Sequence, residues 1–142
     1  MIKVLFVCHG NICRSSMAQY VMQDMVNKAG LAAQFRIASV GVSSEEQGNP
    51  VYPPVRKLLN AAGIACDGHR ARKITQTDVD DFDHIYYMDS SNLRYLRRMF
   101  PEETKFRPLL DRDVADPYYY GGYEQTWQDI HEGCSRILEE LA

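Results

Sequence analysis

Cys8 and Arg14 bracket five residues, His9, Gly10, Asn11, Ile12 and Cys13, in the stretch VCHGNICRSS at positions 7–16. A cysteine thiolate is a nucleophile, and a guanidinium is a planar fork of donors that fits two phosphate oxygens. Gly10 opens backbone conformations closed to other residues, and Asn11 tolerates left-handed geometry, so the loop can curl. Curled, it turns the N–H groups of His9, Gly10, Asn11, Ile12, Cys13, Arg14 and Ser15 toward one point, a nest for an anion. The same donors stabilise a thiolate at its floor. The chemistry that suits this pattern is attack of the Cys8 sulfur on a phosphoryl group held by the loop and by Arg14.

Plainer readings compete. Cys8 also suits a buried structural cysteine at the end of a strand. A zinc site needs four ligands. Cys8, His9 and Cys13 are too crowded to chelate together while the loop also opens a helix, and no second CxxC or HxxxH occurs. The nucleotide loop GxxxxGK[ST] is absent. Neither metal nor cofactor is expected.

Phosphoryl transfer to sulfur leaves an oxyanion that needs a proton, and a carboxylic acid on another loop can supply it. Asp116, in VADPYYYGG, is the best placed by its loop, with Asp111 and Asp113 as competitors. An aspartate before proline is also a common turn or cap residue. Tyr118, Tyr119 and Tyr120 cluster in the same loop, where rings can line a pocket for a flat aryl group.

These residues need elements to position them. IKVLFV (2–7) is a continuous apolar run of strand length, as expected of a strand buried on both faces. From Ser16 the apolar residues recur at helical spacing through Ala29, and Gly30 supplies a stop. Strand, polar loop and helix open a βαβ unit. FRIASV (35–40) and HIYYM (84–88) read as further strands. Helices are expected from about Pro54 to Ala62, from Thr75 or Thr77 to Phe82, from a cap at Asp89 or Ser90 to about Met99, and along the face Trp127–Ile130–Cys134–Ile137–Leu141. The fold class is therefore α/β, one domain over 1–142, with an open parallel sheet of about four strands and helices on both faces. The phosphate-binding loop follows strand 1, at the carboxyl end of the sheet where such folds bind ligands.

The length of 142 residues allows a proper core, and 45% hydrophobic with 25% charged residues fits a globular chain. A net charge of −3 argues against a broad nucleic-acid surface. No apolar stretch approaches the roughly 20 residues of a membrane span, and MIKVLFV is too short for a signal peptide's apolar region. Four cysteines, Cys8, Cys13, Cys66 and Cys134, follow no disulfide framework. A cytoplasmic location with reduced thiols is expected.

At this point the chain resembles the low-molecular-weight protein tyrosine phosphatases, over essentially its whole length. The resemblance rests on Cys8-His-Gly-Asn-Ile-Cys-Arg-Ser15 and Asp116-Pro-Tyr-Tyr119, with weaker support from GNP (48–50), HRARKIT (69–75) and MDSSNL (88–93). It implies a phosphotyrosine-containing protein or small aryl phosphate as substrate. It further implies that Cys8 is the nucleophile of a phosphocysteine intermediate, that Arg14 binds the phosphoryl oxygens, and that Asp116 is general acid and then base. Ser15 would hydrogen-bond the sulfur. Asn11, Ser39 and His69 would hold the strained loop, and Tyr118 and Tyr119 would contact the substrate. Cys13 would form a reversible disulfide with Cys8 that shields it from further oxidation.

Two departures stand out. Ser16 replaces the proline common after the loop serine. Glu45, with Glu46 beside it, occupies the position that usually offers an aromatic wall. An acidic rim is unfavourable for a dianion, so Tyr118 and Tyr119 would have to supply more of the aryl contact, although two glutamates also suit a solvated loop. Among rivals, an arsenate reductase of the same fold needs further paired cysteines, and Cys66 and Cys134 are isolated. A phosphocysteine carrier or phosphate-binding module would not need Asp116, and an inactive relative would not need the set Cys8, Arg14 and Asp116.

Overall fold

The N-terminal apolar run forms β1 (Ile2–Cys8) in a computed structural model that describes residues 1–142, the side chain of Tyr120 excepted. Strands β2 (Phe35–Gly41), β3 (His84–Tyr87) and β4 (Phe106–Pro108) complete a sheet of order β2-β1-β3-β4, with every pairing parallel. β1 thus has a strand on each side and a layer of side chains on each face. Val4, Phe6 and Cys8 join one core with Met17, Val21 and Met22 of α1 (Arg14–Lys28), Val55 and Leu59 of α2 (Pro53–Ala61), and Ile130, Cys134 and Ile137 of α6 (Tyr123–Leu141). Leu5 and Val7 join the other with Val79 of α3 (Gln76–Asp81) and Leu96 of α4 (Ser90–Met99). Burial on both faces is why β1 reads as an unbroken apolar run rather than an alternating one.

The parallel sheet with helices on both faces agrees with the expectation from sequence, and three of its strands lie where periodicity put them. β4 has three residues, too few to carry a pattern. Thr75 and Asp89 are the caps of α3 and α4, each in a reciprocal capping box with the residue three positions on. Two boundaries need correction. α1 begins at Arg14 rather than Ser16, because the phosphate loop runs straight into helical geometry. The Asp116 loop holds a short helical turn, α5 (Pro117–Tyr120), because Asp116 Oδ1 accepts the Tyr118 N–H at 3.0 Å and Pro117 is preset for a first turn. Among the described residues no helix is long and apolar enough to cross a membrane.

The chain leaves β1 for β2 on one side and later returns to β3 on the other. The carboxyl end of β1 is therefore the switch point of the sheet, and Cys8 is the residue there.

Candidate active site

The loop after β1 is pinned from below by β2 and the segment beyond it. The amides of Val42 and Ser43 donate to the carbonyls of Cys8 and His9, both at 3.0 Å, and the Tyr52 amide donates to the Ile12 carbonyl at 2.9 Å. Gly41, paired with Cys8 across the sheet, underlies the loop so closely that a Cβ there would lie 2.6 Å from the His9 carbonyl oxygen. Only glycine fits beneath this backbone. Nothing in the sequence pattern singled out Gly41, since its reason is a neighbour from another strand.

Among the described residues Asn11 is the single non-glycine with positive φ, +64°, a conformation that costs on the order of 1–2 kcal/mol. Its side chain, fully buried, explains how the loop stands it. Nδ2 donates to Ser15 Oγ and to Ser39 Oγ, both at 2.9 Å, and Oδ1 accepts the Arg72 amide at 3.1 Å. Ser39 spends its own proton on Gln19 Oε1 at 2.5 Å, which leaves its oxygen free to accept from Asn11. Gln19 and Arg72 thus support the loop, and neither was a sequence candidate.

His69 closes the network at the Asn11 carbonyl, 2.6 Å from Nε2, so Nε2 carries the proton. Burial lowers the pKa of His69 below its ordinary value; the bond to Asn11 opposes this and Arg70 adds to it. The folded protein therefore takes up this proton less readily than the unfolded chain. His69 contributes its full stability above the unfolded value of about 6.5 and loses it progressively as pH falls below that. The thermal midpoint should drop between about pH 7.5 and about pH 5, and less in His69→Gln; equal drops in both would remove His69 from the account.

Cys8 Sγ lies 3.0 Å from Ser15 Oγ, which also sits 3.2 Å from the Val40 carbonyl oxygen. With Asn11 Nδ2 donating to Ser15 Oγ, the one Ser15 proton is shared between the Val40 carbonyl and the sulfur, and a thiolate is the stronger acceptor. Cys13, at the N-cap of α1, is buried too, and burial followed by the nearby Cys8 pushes its thiol pKa far up. Cys13 stays a thiol. All four cysteines are free; Cys134 bonds the Ala18 carbonyl in the core, and neither Cys66 nor Cys134 lines the site.

The N-terminus of α1 has no side-chain cap and no acidic residue in its first turn. Its orphan N–H groups and positive dipole end face the loop unopposed. Ser16, the departure at the first turn, is buried with its hydroxyl on the Cys13 carbonyl at 3.0 Å, so no polar group is stranded.

Arg14 is 2% exposed. Nη1 donates to Asp89 Oδ2 and the Val114 carbonyl, both at 2.7 Å, and Nη2 lies 3.4 Å from Asp116 Oδ2. Burial opposes its charge, but Cys8, Asp89 and Asp116 outweigh it and hold the guanidinium protonated. Nε has no partner. A buried, unpaired donor is costly, and Nε with the remaining Nη2 proton forms the side-on fork that a phosphoryl group matches. Asp89 anchors this arrangement. The sequence marked it only as a helix cap, and it does both jobs because its second carboxylate oxygen reaches back to Arg14.

Cys8, His9, Gly10, Ile12, Cys13, Arg14, Asp116, Tyr118 and Tyr119 line one pocket, with Glu45 and Glu46 also on its border. The three candidate acids separate here. Asp113 accepts from the Ser90 amide and hydroxyl at 3.1 Å, and the Asp111 side chain is 84% exposed beside Arg112; neither lines this pocket. Tyr118 and Tyr119 form the wall opposite the loop, edge to face at 5.1 Å, and Tyr118 packs on Tyr52. The Tyr120 side chain lies outside the described residues.

The family model for low molecular weight phosphotyrosine protein phosphatases matches residues 3–142. The chain belongs to this family. It is 40% identical over 150 residues to the low molecular weight protein-tyrosine-phosphatase YfkJ of Bacillus subtilis, covering 99% of this chain and 96% of the relative. The YfkJ crystal structure superposes with a TM-score of 0.96 at 39% identity, covering 99% of this chain and 94% of that one. A Schizosaccharomyces pombe member is 42% identical, covering 99% and 97%. A Drosophila arginine phosphatase also shares the fold, with TM-score 0.89 and 32% identity over 98% of this chain and 97% of that one. Glu45 stands where the family resemblance leads one to expect an aromatic wall, with Glu46 beside it.

Proposed function

We propose that the protein hydrolyses phosphotyrosine and related aryl phosphates by two transfers through Cys8. The observation that carries this reading is that Arg14, whose buried Nε has no partner among the described residues, lines one pocket with Cys8 and Asp116. The phosphoryl group sits in the loop's N–H nest and on the Arg14 fork, with the aryl ring between Tyr118 and Tyr119. The Cys8 thiolate attacks phosphorus, the P–O bond to the ring breaks, and Asp116 gives its proton to the departing phenoxide. The loop donors and Arg14 stabilise the charge on the equatorial oxygens as the bond order shifts. Asp116, now a carboxylate, takes a proton from water, whose oxygen attacks phosphorus. Sulfur leaves as thiolate, helped by the Ser15 hydroxyl, and inorganic phosphate departs.

A phosphatase assay of wild type and Asp116→Asn on phosphotyrosine and phosphoserine peptides tests this. In kcat/KM, which reports only the first transfer, wild type should favour phosphotyrosine, and the variant should lose on the order of 10²-fold or more on it, but far less on an aryl phosphate whose phenoxide leaves unaided. A uniform loss would count against the acid role, and phosphate retained on the protein without release would favour a carrier.

We place the enzyme in the cytoplasm, because the chemistry needs Cys8 reduced, and a reducing compartment supplies that. Cys13 serves as a redox guard. Peroxide converts the Cys8 thiolate to a sulfenic acid and releases hydroxide. The Cys13 sulfur then attacks Cys8, expelling water and closing a disulfide that thiols reopen. Oxidation also removes the negative charge of Cys8 that helps hold Cys13 protonated. Activity lost to peroxide should return with added thiol in wild type and return far less in Cys13→Ser; equal recovery would rule the guard out.

A further inference from the structure

Glu45 and Glu46 lie on the turn after β2, at the edge of the catalytic pocket. Glu46 rests on the phosphate loop itself: a Cβ on Gly10 would be 3.2 Å from its Cγ, and Asn49 Nδ2 fixes its carboxylate at 2.6 Å. Glu45 is held at its backbone, where its amide donates to Ser43 Oγ at 3.1 Å, while its side chain is 70% exposed. His9 Nε2 lies 3.8 Å from the Glu45 carboxylate, beyond hydrogen-bond reach, with the His9 ring edge-on to Tyr95. With Asp116, three carboxylates therefore border the pocket. Arg14, the one lysine or arginine that lines it, is buried at its floor and already faces Asp89 and Asp116.

On the phosphatase reading, the phosphoryl dianion pairs with the buried, unpartnered Arg14 Nε, past the more exposed Glu45. Glu45 and Glu46 are then left facing whatever flanks the phosphotyrosine. Their field opposes acidic neighbours and a bare dianion, and it favours a substrate carrying a positive charge beside the phosphate. We propose that Glu45, supported by Glu46, is a specificity-determining residue that selects phosphotyrosine flanked by lysine or arginine. This rests on the phosphotyrosine phosphatase reading and narrows its substrate class. A basic flank offsets the rim's repulsion; an acidic flank doubles it.

The test compares kcat/KM on three phosphotyrosyl peptides that differ in the residues next to the phosphotyrosine: lysine, alanine or glutamate. Free phosphotyrosine and phosphoarginine serve as reference substrates. Wild type at low salt should prefer the lysine peptide over the glutamate peptide by about fivefold, the scale of exposed charge pairs counted once as attraction and once as repulsion. Added salt should shrink the ratio, Glu45→Gln should bring it toward one, and Glu45→Lys should invert it. The exposed side chain makes both variants safe for folding, and a ratio cancels any change in the chemical step. A wild-type ratio near one, or a preference that survives Glu45→Lys, overturns the assignment of Glu45. Faster turnover of phosphoarginine than of every phosphotyrosyl substrate overturns it as well, since the rim would then be reading the leaving group. Failure to hydrolyse free phosphotyrosine and all three peptides overturns the phosphatase reading itself, a result distinct from an equal ratio.

Discussion

Cys8→Ser should lower kcat/KM for an aryl phosphate by about four orders of magnitude or more, the scale at which removing an enzyme's nucleophile is felt. The substitution barely changes shape. A serine hydroxyl at the floor of the loop keeps the neighbourhood of Ser15 Oγ, now 3.0 Å from the sulfur, and leaves the Asn11 network untouched. It removes the anion, because a hydroxyl holds its proton far more tightly than a thiol. The donors that bind phosphate are the loop amides, the start of α1 and Arg14, none of which changes. The variant should therefore still gain thermal stability from phosphate or vanadate while turning over nothing. Substantial residual hydrolysis would refute the nucleophile assignment; loss of anion binding along with activity would point to a collapsed loop.

Arg14→Lys should cost on the order of 10³-fold in kcat, near the upper scale for losing a preorganised oxyanion donor. Arg14 makes two sets of contacts that one ammonium cannot reproduce. Nη1 is committed to Asp89 and the Val114 carbonyl, and that commitment aims Nε and Nη2 at the phosphoryl oxygens. Lysine supplies charge without the planar fork. It must also leave Asp89, the Val114 carbonyl or the phosphate unmet. Stability should fall by about 1–3 kcal/mol as buried acceptors lose their donor, read by denaturant titration. The kinetic loss should exceed what that destabilisation explains and should be accompanied by weaker inhibition by phosphate. Activity within tenfold of wild type would mean the fork is not used in the transition state.

Much of this was legible in the sequence for physical reasons that can be named. β1 and the phosphate loop are local: an apolar run, a glycine, an asparagine and a helix pattern lie within about one βα unit. The caps of α3 and α4 narrow in the sequence to Thr75 or Thr77 and to Asp89 or Ser90, because capping is also local. What escaped was contact between distant segments. Gly41 matters because of the His9 carbonyl on a neighbouring strand, Gln19 because of Ser39, and Asp89 as an Arg14 anchor because α4 and the phosphate loop meet at the sheet's carboxyl end. β4 escaped because three residues carry no period. The choice among Asp111, Asp113 and Asp116 shows the same limit: all three sit within one short stretch, and only the third dimension sends Asp113 to the Ser90 amide and hydroxyl and Asp116 to face Arg14.

The central claim is that phosphate passes through the Cys8 sulfur. Asp116→Asn enzyme mixed with an aryl phosphate of good leaving group should form the phosphoenzyme quickly and hydrolyse it slowly, because the second step lacks its base. Acid quench and peptide mass spectrometry of that mixture should find a phosphoryl adduct on the peptide carrying Cys8, absent when Cys8→Ser is added. Burst release of phenol with no adduct, or an adduct on another residue, would contradict the account.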